Sequence, residues 1–173
     1  MALRADVFDL ASLRLSSGEG RRIALAVTID PFDLGGERYE VVPDEVETTL
    51  EISRTTGDGY ALRLRFQARL AGPCMRCLGA AELPIEVDAL EVSQPGGGDE
   101  LQSPYVVDGG LDLRGWARDA LALALPNRIL CKPDCAGLCA ICGADLNRAG
   151  ADHGHEREPD PRWAKLAELK FDQ

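Results

Sequence analysis

The sequence predicts an α+β protein in which an N-terminal antiparallel β-sheet precedes an amphipathic helix, a C-terminal zinc-knuckle cysteine cluster and a terminal helix. Three observations support this prediction. Apolar residues alternate with polar ones in several segments before residue 93, which is the period of half-buried strands. Beyond residue 112 the apolar period becomes that of a helix. Four of the six cysteines then fall within residues 131–142.

The predicted sheet contains about five strands. The clearest alternation occurs in residues 23–29, 46–53, 60–70 and 83–92, and residues 39–42 could extend as well. The sequence Thr56-Gly57-Asp58-Gly59 between the second and third of these segments is typical of a hairpin connection, which makes the pairing antiparallel. Residues 1–22 lack a clear period and are compatible with either a strand or a short helix.

Two helices are expected after the sheet. The first follows Asp112, a suitable N-cap, and ends before Pro126; the second begins at Asp160-Pro161. We therefore expect a β-rich part with the first cysteine pair (1–93), a flexible acidic loop (94–104), and the helix, metal cluster and terminal helix (105–173). The three parts are expected to form one integrated domain.

Cysteine and histidine spacing predicts metal binding. Two Cys-x-x-Cys pairs are each followed closely by a glycine, the form of a zinc knuckle in which a tight turn points amide groups at two sulfurs. Six cysteines and two histidines supply eight ligands, the number that two closed tetrahedral zinc sites require. The candidate ligands are Cys74, Cys77, Cys131, Cys135, Cys139, Cys142, His153 and His155. We expect one or two structural Zn²⁺ ions.

Three groupings of these ligands are compatible with the sequence. In the first, the upstream pair joins Cys131 and Cys135, while Cys139 and Cys142 join the two histidines. In the second, the two Cys-x-x-Cys pairs face each other as in a zinc ribbon. In the third, the four cysteines of residues 131–142 form a local site. The first grouping is favoured because it uses every candidate ligand.

Composition and charge restrict the function classes. The formal net charge of −10 argues against a protein that binds the phosphate backbone of a nucleic acid over its whole surface. The N-terminal residues have no unbroken apolar run, so we expect neither a secretory signal nor a membrane span. A cytoplasmic location follows from this expectation. Reducing conditions there favour metal binding over disulfides.

Motifs along most of the chain resemble those of the YceD family, the large ribosomal RNA subunit accumulation proteins. The residues that carry the resemblance are Cys74-x-Arg76-Cys77-Leu78, Tyr105-Val-Val-Asp108, Asp112-Leu113, the helix end at Pro126, Leu130-Cys131-x-x-x-Cys135-x-Gly137-Leu138-Cys139-x-x-Cys142-Gly143-x-x-Leu146-Asn147, and Asp160-Pro161-Arg162-Trp163-Ala164-x-Leu166. The resemblance implies a non-enzymatic role in the synthesis, processing or stability of large-subunit ribosomal RNA. Its implied partners are that RNA or the proteins that assemble and process it, with no membrane and no small-molecule substrate.

The chain departs from the family pattern at one place. In the family pattern that this chain resembles, a Cys-x-Cys follows shortly after the Leu-Asn pair. The corresponding residues of this chain are Asp152-His153-Gly154-His155. Imidazole nitrogen can replace thiolate at zinc, and the exchange makes the site less negative. If the protein contacts RNA directly, the residues expected to face phosphate are Arg76, Arg128 and Lys132.

Two other classes of function are compatible with paired cysteines. An interaction adaptor would use the zinc cluster only to display a surface, without direct RNA contact. A thiol redox enzyme would need its Cys-x-x-Cys at a helix N-terminus after a strand, and neither pair has that context in the sequence. We expect the protein not to be an enzyme.

Overall fold

The structure is a computed structural model that describes residues 3–4, 6–150, 152–155 and 162. The described strands are β1 (Leu3–Arg4), β2 (Val7–Asp9), β3 (Gly20–Thr28), β4 (Phe32–Leu34), β5 (Glu37–Val42), β6 (Glu45–Arg54), β7 (Tyr60–Pro73), β8 (Ala80–Ser93), β9 (Val106–Val107) and β10 (Gly110–Asp112). The described α-helices are α1 (Leu113–Leu123) and α2 (Leu146–Ala149). This content confirms the predicted β-sheet, and the described chain is mostly β-strand with few helices.

Strand β7 is the centre of the main sheet. On one side it pairs along its whole length with β8. On the other side its first half pairs with β6 and its second half with β5. Strands β3 and β1 continue the sheet beyond β6, and β4 continues it beyond β5. All these pairs are antiparallel except β1 with β3.

A second, small sheet has the order β2-β10-β9. Its strands are two or three residues long and connect the N-terminal region to the segment just before α1. The residues that the sequence left as either strand or helix therefore include β2, which pairs with a strand about a hundred residues later in the chain. Within residues 94–104, which the sequence predicts as a loop, a short 3₁₀ turn spans Asp99–Leu101.

Helix α1 covers the inner face of the main sheet. Its N-cap Asp112 accepts a hydrogen bond from the Gly115 amide at 2.9 Å, which satisfies one of the free donors of the first turn. The helix buries five residues against the inward side chains of the strands. These are Leu113, Trp116, Ala117, Ala120 and Leu121. Their burial provides the main contact between helix and sheet.

The chain after α1 returns to the turn between β7 and β8. Ile129 is 1% exposed there, and its carbonyl accepts a hydrogen bond from the Met75 amide at 2.9 Å. This contact brings the later cysteines to the end of the β7–β8 hairpin. Helix α1 and the hairpin thus act as the two supports that position the candidate site.

The predicted terminal helix beginning at residues 160–161 lies outside the described residues. Within the described part of the chain, no helix is both long and apolar enough to cross a lipid bilayer.

Candidate metal centre

The first Cys-x-x-Cys forms the turn that connects β7 to β8. Cys74 directly follows the last residue of β7, and its amide donates to the Gly79 carbonyl at 2.7 Å. The Leu78 amide donates back to the Cys74 carbonyl at 2.9 Å, and Leu78 has a positive φ of 60°. The paired strands on either side hold this tight turn in place. Two cysteine sulfurs are therefore displayed at the end of the sheet.

Four cysteines meet at this turn. The sulfurs of Cys74, Cys77, Cys131 and Cys135 all lie within 4.8 Å of one another. The Cys74 and Cys135 sulfurs are 3.8 Å apart, and those of Cys77 and Cys131 are 3.6 Å apart. A tetrahedral zinc with bonds of about 2.3 Å sets its sulfurs about 3.8 Å apart, whereas a disulfide needs about 2.05 Å. The arrangement fits a four-thiolate zinc site, which we call the first cluster.

Backbone amides favour thiolate at Cys74. Burial opposes ionisation of this fully buried residue, but amides of Arg76, Cys77 and Cys131 donate to its sulfur and hold the pKa at about 6. By contrast, desolvation and hydrogen bonding to Cys77 raise the pKa of Cys131 to about 12. Cys131 is exposed as a residue, but its sulfur is turned toward the other thiols. Four adjacent thiols cannot all ionise alone, and a divalent cation removes that conflict.

The second Cys-x-x-Cys forms a similar turn in the loop after the first cluster. The Cys139 amide donates to the Ala144 carbonyl, and the Gly143 amide donates to the Cys139 carbonyl, both at 2.8 Å. Gly143 has a φ of 71°, a conformation that glycine adopts without strain. Amides of Cys142 and Ile141 donate to the Cys139 sulfur and, together with His153, lower the pKa of Cys139 to about 6.

Two histidines complete a second group of four ligands. The sulfurs of Cys139 and Cys142 and ring nitrogens of His153 and His155 lie within 4.8 Å of one another. Cys142 Sγ is 3.5 Å from His153 Nε2, which is 3.1 Å from His155 Nε2. A tetrahedral zinc would set sulfur and nitrogen about 3.5 Å apart and two nitrogens about 3.3 Å apart. We call this group the second cluster.

The two clusters differ in exposure. Cys74 and Cys135 of the first cluster are fully buried, whereas Cys142 and His155 of the second cluster are exposed. The structure thus brings the eight candidate ligands together in the first of the three groupings. It does not bring the two Cys-x-x-Cys pairs into one site.

Asn147, at the start of α2, contacts the first cluster and was not identified as a site residue from the sequence. Its side-chain amide donates to the Cys135 sulfur at 3.5 Å, and its side-chain oxygen accepts from the Ala136 amide at 2.9 Å. The N-cap Asp145 accepts from the Asn147 backbone amide at 2.9 Å. A hydrogen bond from a carboxamide to a ligand sulfur orients that ligand and offsets part of its charge.

Comparison with known proteins identifies the family. The model of the family described as "Large ribosomal RNA subunit accumulation protein YceD" matches residues 62–170. The chain belongs to the YceD family. The matched region includes the first turn, both clusters and all eight candidate ligands.

Similar proteins occur in mycobacteria. Uncharacterized proteins of Mycobacterium tuberculosis and Mycobacterium bovis are each 38% identical over 122 residues, which cover 66% of this chain and 58% of theirs. An uncharacterized protein of Mycobacterium leprae is 35% identical over 170 residues, covering 94% of this chain and 76% of that protein. The chain thus spans 58% of the length of the first two relatives. No solved structure shows significant similarity to the chain.

The three basic residues predicted to face phosphate lie on the two segments that supply the first cluster of this YceD-family chain. Arg76 is exposed on the first turn, and its guanidinium donates to the Ala136 carbonyl at 3.2 Å. Lys132 lies 4.0 Å from the carboxylate of Asp134, and Arg128 is exposed beside Ile129. A zinc ion with four thiolates carries a net charge of about −2, which nearby cations offset. The positions of the three basic residues are compatible with two roles, which are to offset the charge of such a site and to contact phosphate.

Proposed function

We propose that the protein is a non-enzymatic ribosome-biogenesis factor that supports the synthesis, processing or stability of large-subunit ribosomal RNA. The observation that carries this proposal is membership of the YceD family, whose description names large ribosomal RNA subunit accumulation. Its partners would be that RNA or the proteins that assemble and process it. No membrane and no small-molecule substrate enter the proposed role, and we place it in the cytoplasm.

Two structural Zn²⁺ ions are part of the same proposal. The sulfur spacings in the first cluster and the mixed sulfur and nitrogen spacings in the second are those of tetrahedral zinc. Each group offers four protein ligands, which leaves no coordination position for a catalytic water. The ions would then stabilise the junction between sheet and C-terminal segment, in keeping with a non-enzymatic role.

The surface around the first cluster is the proposed contact with RNA or a partner. Arg76, Arg128 and Lys132 present cations there, and Met75 and Leu78 on the same turn are 43% and 63% exposed. A mixed apolar and basic surface of this kind suits both a nucleic-acid backbone and a protein partner. The metal would fix the turn that displays these residues.

The cellular experiment removes the gene from its native host and measures precursor and mature large-subunit ribosomal RNA against the small-subunit RNA. We expect the large-subunit RNA to fall, the wild-type gene to restore it, and Cys74→Ser to restore it poorly because the first cluster is incomplete. Ser17→Ala, in an exposed turn, serves as the matched control and should restore the RNA fully. An unchanged ratio of the two RNAs in the deletion strain would contradict the proposed function.

An interaction adaptor without direct RNA contact is the second candidate. The net charge of −10 and the engagement of Arg76 with the Ala136 carbonyl favour it. Affinity capture from cells with and without nuclease distinguishes the two candidates. Proteins recovered equally after nuclease, with no crosslinked RNA, would favour the adaptor. Crosslinked large-subunit RNA that Arg76→Gln reduces would favour direct contact.

A further inference from the structure

The outer edge of β8 is available for pairing. Strand β8 is 14 residues long and pairs on one side with β7. In the described part of the chain, no strand pairs with its other side. The unpaired amide and carbonyl groups of an edge strand can pair with a strand of another chain. Proteins usually prevent this with a proline, with charged side chains or with an element that covers the edge. Pro84 interrupts the first half of β8, but residues 86–90 contain no proline.

A groove runs beside this second half of β8. It has a volume of about 520 Å³ and is lined by residues 86–90 and by Ala120, Leu123 and Ala124 of the end of α1 and its C-cap. One wall is therefore a strand edge and the other an apolar helix end. A groove between an edge strand and a helix is the form in which domains receive an extended peptide by β-strand addition.

The groove exposes large apolar side chains. Leu123 is 89% exposed and Leu90 is 74% exposed, the two highest exposures among the large apolar residues of the described chain. Leu90 lies on the outer face of the sheet, opposite Arg63, while Ala89 lies opposite the buried Leu64 on the inner face. A strand added to this edge would therefore place alternate side chains against the helix and over the outer face.

The charges of β8 specify the chemistry of the added strand. Its four ionisable side chains are all acidic: Glu82, Glu86, Asp88 and Glu91. Asp88 is paired with Arg63, whereas Glu86 accepts a hydrogen bond from the neutral side-chain amide of Gln67. The charged side chains that line the groove, Glu86 and Asp88, are thus both acidic, and the helix side is apolar. Nucleic acid is a poor occupant for such a surface.

We propose that the groove between β8 and α1 binds an extended segment of a basic partner protein, which adds to the main sheet as a further strand. Every second residue of that segment is apolar and packs against Ala120, Leu123 and Ala124. The residues between them are lysine or arginine and lie beside Glu86. Main-chain hydrogen bonds supply affinity, and the alternating side chains supply specificity. This inference is independent of both metal clusters.

A second copy of the chain is a poorer occupant of the same groove. Antiparallel pairing of β8 with β8 of another copy would place acidic strands against each other without a cation on either strand. Like charges across paired strands are destabilising. Charge therefore favours a basic partner over self-association.

The test measures binding of an acetylated and amidated peptide of alternating valine and lysine, about seven residues long, by calorimetry on the zinc-loaded protein. We expect the peptide to bind and a valine–glutamate peptide of equal length not to bind. Leu123→Asn should weaken binding at least roughly tenfold because it removes an apolar anchor from the groove. Val107→Asn, a matched change at a residue that is 66% exposed and does not line the groove, should leave it unchanged.

Two further measurements make the outcome decisive. Methylation of the peptide amides that face β8 should abolish binding, because it removes the donors that a strand addition needs. Glu86→Gln should weaken binding and reduce its dependence on salt. Failure of the lysine peptide to bind, or binding that survives both amide methylation and Leu123→Asn, would overturn the proposal. Dimers that sediment with the wild type and disappear in Leu123→Asn would assign the groove to a second copy instead.

Discussion

At the scale of single residues, the candidate metal centre includes groups that would not themselves ligate. Amide donors surround the sulfurs of Cys74 and Cys139, and the Asn147 side chain donates to Cys135. Such outer contacts fix the orientation of the ligands before a metal binds. The first cluster is preorganised by them and by its burial.

Asn147→Ala should weaken zinc binding at the first cluster. It removes the donor to Cys135 and the acceptor for the Ala136 amide, and loss of comparable outer contacts costs about 10–100-fold in metal affinity. Competition with a chromophoric chelator measures the change. Asn127→Ala is the matched control, because Asn127 is exposed in the segment after α1. Equal affinities in the two variants would show that Asn147 has no part in holding the ligand.

Gly72→Ala should destabilise the strand end that carries the first turn. A Cβ at Gly72 would lie 2.3 Å from Cδ1 of Tyr39, whose ring is buried and whose hydroxyl donates to the Pro73 carbonyl at 2.8 Å. Overpacking of this kind costs about 1–3 kcal/mol of unfolding free energy. Urea unfolding of the zinc-loaded protein checks the prediction. Gly98→Ala, whose Cβ would meet no atom closer than 3.7 Å, should unfold as the wild type does.

At the scale of elements, the β7–β8 hairpin gives the site its position. Its strands pair over 14 residues, so the turn that holds Cys74 and Cys77 is fixed at one end of a long ladder. The segment that supplies Cys131 and Cys135 joins it through the contact between Met75 and Ile129. A metal in the first cluster would therefore connect the sheet to residues far along the chain. The loop-closure cost of roughly 3.5 kcal/mol is small beside the roughly 10–16 kcal/mol available from structural zinc.

Chelation should loosen this junction before it affects the sheet. With zinc removed, we expect trypsin to cleave after Arg128 and Arg148 faster than in the loaded protein. Sites within β7, such as Arg63 and Arg65, should stay protected by strand pairing on both sides. Mass spectrometry of timed digests gives both rates. If cleavage after residues 128 and 148 is unaffected by chelator, the metal does not hold the segment.

The predictability of the elements follows from their length. Strands β3, β6, β7 and β8 span nine or more residues each and were predicted from period-two alternation alone. Strands of two or three residues, such as β2 and β9, are too short to have a period, and their partners are distant or follow a turn. Helix α1 occurs where the apolar period of the sequence changes. Local sequence patterns cannot predict strands this short, or strand pairs whose members lie far apart in the chain.

The ligands of the candidate site could be predicted from the sequence, whereas the contacts that depend on the fold could not. Ligand types and the knuckle spacing are local in the sequence, so all eight candidate ligands were identified, and counting them favoured the grouping that the structure has. Asn147 was recognised only as part of a family motif, because a hydrogen bond from a carboxamide to sulfur follows from the fold and not from spacing. The open edge of β8 likewise depends on the order of strands in the sheet.

At the scale of the whole molecule, the chain combines one β-sheet core with two candidate metal-binding clusters of different exposure. The first cluster takes its cysteines from the sheet end and the C-terminal segment, and two of them are fully buried, whereas the second lies in an exposed loop. In the role proposed above, a net charge of −10 would restrict any contact with phosphate to a limited basic surface.

Zinc per chain is the measurement that tests this account most directly. Elemental analysis of protein purified without chelator should give two zinc ions per chain, with Cys74→Ser losing the first and His153→Ala losing the second. One zinc that His153→Ala leaves in place would show that the histidines do not ligate. No zinc in the wild type, or a single variant that empties both clusters while the protein stays folded, would contradict two independent structural sites.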